Sequence, residues 1–178
     1  MTFSNPAGNA AAAASSYVRA LLDLLGPRDP LTVMAELIPW LERRVQGIAE
    51  PVLRHPEGPG KWSVVQVIQH LADSDLVAAY RIKMILSQDR PSIPGYDQDQ
   101  WASEGRYAEV PLALALDQLR AMRAANLHLW ARLTPQQLER VGIHAERGPE
   151  SAGYLLRLMG AHDLVHRRQI DRILSSAH

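Results

Sequence analysis

The chain has 178 residues, enough for one domain with a real core. Hydrophobic residues make up 47% and charged residues 21%, a globular composition, and the formal net charge is zero with no basic stripe. This balance argues against nucleic acid as a partner and against electrostatic attachment to a membrane. There is no cysteine. Disulfides are therefore excluded, a metal site would have to use His, Asp, Glu or water, and thiol chemistry would need a thiol from outside. The first residues, MTFSNPAGNA, lack the positively charged region of a signal peptide, and no apolar run is long enough to span a bilayer. The expected compartment is the cytoplasm.

In chain order, residues 8–25 read as a short helical arm, broken by GPRDP. Asp29 with Pro30 is an N-cap followed by proline at the first helical position. The helix over 30–48 carries Leu31, Met34, Leu37, Ile38, Leu41 and Val45 at 3.6-residue spacing. Residues 50–62 hold three Pro and two Gly and read as a loop. Ser63 and Gln66 have capping-box spacing, and the helix they open runs to about Gln88. Its stripe is Val64, Val67, Ile68, Leu71, Ala78, Ile82 and Ile85.

Residues 89–110 form a long connection with one short helix near Asp97 to Ser103. Connections of that length inside a compact domain are often functional. Pro111 opens a helix to Leu133, with Leu112, Leu116, Leu119, Trp130 and Leu133 inward. Thr134, Pro135 and Gln137 cap a brief turn, GIHAERGPE reads as a loop, and Ser151 caps a last helix ending near Ser175. No stretch alternates with period two for long enough to be a strand. The expected fold is all-α, an antiparallel four-helix bundle over 29–178 with a helical arm over 1–28.

His162 and His166 lie four residues apart, so a helix puts both imidazoles on one face. The pair alone is a weak signal, but both residues interrupt the inward stripe Leu155, Met159, Ile170, Ile173. A buried imidazole needs partners for both nitrogens, and a metal on one with an acceptor on the other supplies them. His70, beside Leu71 and one turn from Val67, is the candidate third ligand. Three histidines leave positions open on an ion, as catalytic sites do. The alternative is three core or boundary histidines satisfied by hydrogen bonds. Without thiolates the ion could be Zn, Ni, Fe or Mn, and imidazole suits the first three.

KWSVVQVIQHLADSD with a following Tyr80–Arg81 pair, PGYDQDQWA, and GIHAERGPESAGYLLRLMGAHDLVHRRQI together resemble the DinB-like superfamily, closest to the YfiT-like metal-dependent hydrolases. The resemblance covers about residues 30–175. It implies a four-helix bundle, one divalent metal on His70, His162 and His166, and commonly a homodimer. It also implies hydrolysis, or transfer of a low-molecular-weight thiol to an electrophile, with a small-molecule substrate. The alternative function is a non-catalytic metal- or ligand-binding module in a stress response.

Other residues carry secondary expectations. Asp73 could orient His70 or be solvated. His144 could line the pocket mouth or act as a base, although a loop histidine is usually exposed. Tyr96, Asp97 and Trp101 could form a lid, or Trp101 could plug the bundle end. Trp62 reads as a packing staple. Arg81, on the His70 side of its helix, could hold an anionic group, whereas Arg167 and Arg168 read as solvated. His55, His128 and His178 read as surface.

Overall fold

The structure, a computed structural model, describes residues 10–176. The start of the expected arm and the surface reading of His178 lie outside the described residues. Helix α1 spans Ala10–Leu25, α2 Pro30–Val45, α3 Glu50–Leu53 and α4 Val64–Ser87. The connection that follows holds strand β1 (Ser92–Ile93), α5 (Gln98–Glu104) and a 3-10 turn (Tyr107–Glu109). Then come α6 (Leu112–Trp130), α7 (Pro135–Leu138), β2 (Val141–His144), β3 (Gly148–Ser151) and α8 (Ala152–Ser176).

The caps sit where the sequence puts them. Asp29 Oδ2 accepts from Thr32 N at 2.9 Å, and Ser63 with Gln66 forms a complete capping box. Ser151 Oγ accepts from Tyr154 N at the start of α8. The expected stripes of α2 and α4 are inside: Met34, Leu37 and Leu41 pack in the core with Ile68, Leu71, Ile82 and Ile85. Arm helix α1 lies on α8, its Leu21 and Leu25 against Val33 and Ala161.

The four long helices α2, α4, α6 and α8 form a bundle with two antiparallel and two parallel faces. Arg44 pairs with Asp171 at one end of α2, and Gly160 meets Pro30 at the other, so α2 and α8 run parallel. Gln69 meets Gln118 and Asp75 O accepts from Asn126, so α4 and α6 also run parallel. The α4–α8 and α2–α6 faces are antiparallel: His70 lies level with His166, and Glu42 pairs with Arg120 while Met34 O accepts from Arg123. This arrangement explains the long connection. Joining parallel neighbours means returning the length of the 24-residue α4, roughly 36 Å, which no tight turn can do.

The segment read as a loop at GIHAERGPE is instead a hairpin. Strand β2 pairs antiparallel with β3, turning at Gly148 (φ 79°), and parallel with β1, with Ile93 opposite His144. Strands of two to four residues are too short to show a period in sequence, and the β1 partner comes from far along the chain. Gly142 is required here, because a Cβ would come within 2.8 Å of Ile93 and 2.9 Å of Ile85. Its absence lets the sheet lie flat on α4.

Candidate metal centre

Helix α4 carries His70 near its start, and antiparallel α8 carries His162 and His166 one turn apart. The three imidazoles meet. His162 Nε2 stands 3.1 Å from His70 Nε2 and 3.0 Å from His166 Nε2. One ligand atom from each residue fits within 4.8 Å of the others. His70 is 1% exposed and His166 8%.

Hydrogen bonding decides which nitrogens face inward. His166 Nδ1 lies 2.7 Å from Gln169 Oε1, an acceptor only, so Nδ1 carries the proton and Nε2 presents a lone pair to the cluster. His162 Nε2 can then donate to one neighbour, but its single proton cannot satisfy both. The outer nitrogens His70 Nδ1 and His162 Nδ1 are buried without partners. Burial first, and then repulsion among the imidazoles, holds His70 and His162 well below the usual histidine value. Burial brings His166 down to about 4, against the opposing pull of Gln169. All three are therefore neutral at pH 7, the form that binds metals.

The fit to an ion can be tested on this geometry. Nitrogens each about 2.0–2.1 Å from one ion stand roughly 3 Å apart, which is the separation of His162 Nε2 from each of the other two, and all three lie within 4.8 Å of one another. An unfilled cluster leaves lone pairs facing one another in a dry site, a costly arrangement that a shared cation removes. The donor set fits a borderline ion with imidazole preference.

The surroundings differ from the expectations in several places. Asp73 does not touch His70. It accepts from Tyr107 Oη and from Gln118 at 3.1 Å, tying the returning connection to α4. The group that orients one of these imidazoles is Gln169, which lies one turn past His166 in sequence. Trp62 packs its ring 4.9 Å from that of His70, so it covers the site as well as stapling the helix start. Asp97 is the N-cap of α5, accepting from Asp99 N and Gln100 N. Trp101 is 39% exposed and stacks 4.6 Å from Tyr96, so it does not plug the bundle. Tyr96 Oη reaches Ser74 Oγ at 3.4 Å, and Ser74 Oγ is 3.4 Å from His70 Nε2. Arg167 lies over Trp40 at 5.0 Å and pairs with Glu36, while His55, His128 and Arg168 are exposed as expected.

His144 is the largest correction. It is not an exposed loop residue but a strand residue only 2% exposed. A second buried feature was missed altogether. Arg123 of α6, 2% exposed, donates to Asp75 at 2.7 Å, to both oxygens of Asp163, and to Met34 O at 3.0 Å. Only its position in line with Leu119 and Trp130 hinted at burial. A separate cleft of about 760 Å³ lies between α1 and the β2–β3 hairpin, lined by residues that include Arg19, Asp23 and Tyr154, and none of the three histidines borders it.

The DinB superfamily profile matches residues 40–170, most of the chain. This chain belongs to the DinB superfamily. Among similar proteins, one from Oceanobacillus iheyensis is 34% identical over 110 residues, covering 60% of this chain and 63% of its own length. One from Geobacillus thermodenitrificans is 31% identical over 113 residues, covering 63% and 61%. Both carry the name of metal-dependent hydrolase, assigned there by inference. The chain thus spans less than two thirds of these two proteins. The solved structure of YfiT from Bacillus subtilis superposes with a TM-score of 0.76 at 25% identity, over 83% of this chain and 90% of that one. It is described as a "probable metal-dependent hydrolase" with an unusual four-helix bundle topology. Among the described residues, no helix is long and apolar enough to cross a membrane.

Proposed function

We propose that His70, His162 and His166 hold one divalent ion, Zn, Ni or Fe, through their Nε2 atoms, and that the chain is a metal-dependent hydrolase of small molecules. The observation that carries this reading is the meeting of three neutral imidazoles between α4 and α8, with His162 Nε2 3.1 Å from His70 Nε2 and 3.0 Å from His166 Nε2. The names of the relatives support the same chemistry. A bound ion would supply Lewis acidity, lowering the pKa of a water or of an external thiol. The chain's own residues do the rest. Gln169 holds the His166 tautomer, Trp62 keeps bulk water from His70, and the hydroxyls of Ser74 and Tyr96 offer a polar edge beside His70 for a substrate group.

Elemental analysis of protein purified without an affinity tag should find about one such ion per chain, by the three-ligand rule for catalytic sites. Wild-type protein that stays metal-free after incubation with Zn and Ni would refute the site. Loaded protein is then assayed on chromogenic esters and amides with and without an added thiol. Turnover in water alone supports hydrolysis. Turnover only with thiol would make the chain a thiol transferase instead, and tight ligand binding without turnover would make it a binding module.

A further inference from the structure

Beyond the three histidines, a second polar arrangement lies where the small sheet meets α4. Gly142 packs against Ile85 of α4. His144, two residues along β2, points to the same side of the sheet. Arg81 precedes Ile85 by one turn on the same helix face. The seam therefore brings His144 toward Arg81. The backbone agrees, because Arg81 Nη2 donates to Pro94 O at 2.9 Å, and Pro94 follows Ile93, the register partner of His144.

The hydrogen-bond inventory of this seam does not balance. His144 Nδ1 accepts from Glu146 N at 3.2 Å, so the ring proton is on Nε2. That Nε2 is buried and has no partner. Burial and then the charges of Arg147 and Arg81 push His144 down to about 4, so it is a neutral N–H donor at pH 7. Arg81 is half-buried, and among the described residues no carboxylate lies within ion-pair distance of it. Arg147, by contrast, is held by both oxygens of Glu150 and is neutralised there. Glu146 is exposed, and its effect on Arg81 is the weakest of the neighbouring charges. The seam thus holds one guanidinium that Glu150 and Glu146 influence only from beyond ion-pair distance, and one buried donor without a partner. What it lacks is an acceptor with a single negative charge.

We propose that Arg81 and His144 form a subsite for a carboxylate on the substrate, with Arg81 supplying the charge and His144 Nε2–H the second hydrogen bond. A carboxylate has two oxygens and one charge, which matches the pair better than a phosphate dianion does. The subsite is connected to the histidine cluster. Arg81 lies 5.8 Å from the centre of the Tyr96 ring, Tyr96 Oη reaches Ser74, and Ser74 reaches His70. Arg81 is eleven residues past His70, a rise of roughly 16 Å, and helix side chains lean back toward the N-terminus, leaving roughly 10 Å between anion and imidazoles. The substrate class is then a small monocarboxylate whose reacting group stands that far from its carboxylate. This assignment of substrate class rests on the proposed metal site; binding of the carboxylate does not.

The test is a titration of the full chain with sodium butyrate, followed by proton–nitrogen correlation spectra of arginine Nε–H and histidine ring signals. Metal-loaded wild type and His166→Ala are titrated in parallel. The expected result is saturable movement of the Arg81 and His144 signals in both proteins, none with butyramide, and weaker binding of phosphate. Arg81→Gln, which keeps a donor for Pro94 O, should weaken butyrate at least about tenfold, and His144→Phe should weaken it less. Shifts that do not saturate, shifts that butyramide reproduces, tighter binding of phosphate, or an unchanged affinity in Arg81→Gln would overturn the subsite. Because His166→Ala is included, a failed metal site and a failed subsite give different results.

Discussion

Helices α4 and α8 share two buried polar clusters, one turn or so apart, and they are built on opposite principles. The Asp75–Arg123–Asp163 cluster is closed. One guanidinium spends its donors on two carboxylates and a carbonyl, so each carboxylate has a cation beside it. The His70–His162–His166 cluster is open. Its members carry no charge, point lone pairs at one another, and have one firm outside partner in Gln169. A closed cluster holds helices in register, since pairing is what makes buried charge tolerable. An open one offers unspent ligand atoms. The closed cluster is fully buried and the open one leaves His162 partly exposed, but the main difference lies in which partners are present.

The largest expected effect breaks the closed cluster. Arg123→Met leaves two buried carboxylates without their cation and should cost about 3–5 kcal/mol in urea unfolding. A loss under about 1 kcal/mol would show that the cluster does not hold the bundle. His166→Ala tests the open one. Wild type should gain about 3 kcal/mol when Zn is present at a hundredfold excess over its dissociation constant, and the variant should gain nothing and retain no metal. In metal-free protein the same variant should lose less stability than Arg123→Met does. Equal losses would mean that the histidines are a structural cluster too.

A pH series sharpens the contrast further. Burial pushes Asp75 up to about 6 despite Arg123, and its Oδ1 has no partner. A folded-state pKa above the unfolded one means that the folded protein binds the extra proton. Stability from this group is full at low pH and lost as pH rises from about 4 through about 6. His144 has the opposite sign, because its depressed pKa makes stability fall as pH drops below the usual histidine value toward about 4. Asp75→Asn leaves the His144 slope in place. The melting temperature of wild type minus that of Asp75→Asn, in metal-free protein, should therefore fall between about pH 4 and 6 and then level off. A flat difference would contradict the upward shift. The smallest effect is Ser63→Ala, about 1 kcal/mol for the lost cap. Metal content should not change, because the core side chains around His70 position it more than the cap does.

Much of this was legible from local pattern. Asp29, Ser63 and Thr134 cap helices as their spacing foretold, and the stripes of α2, α4 and α8 are buried. Asp97 begins α5, as its cap, where a short helix was expected. The readings that failed involved distant partners. His144 looked like a loop residue because β1, which pairs with its strand, lies some fifty residues earlier. Arg123 drew no reading at all, because its two carboxylates sit on other helices. Asp73, read as either orienting His70 or solvated, instead accepts from Tyr107 of the returning connection.

By itself, the sequence determined the helices, their ends, and the shared face of His162 and His166. These depend on backbone hydrogen bonds and side chains within four residues of one another, so spacing alone encodes them. The stripe of α4 offered His70 as a third candidate, and resemblance to a family reinforced it. Only the tertiary structure decided that α4 runs antiparallel to α8, so that the third imidazole arrives level with the other two. It alone brought Arg123 between two carboxylates and His144 toward Arg81. Those meetings depend on how long connections route whole helices past one another, and no local period records that path.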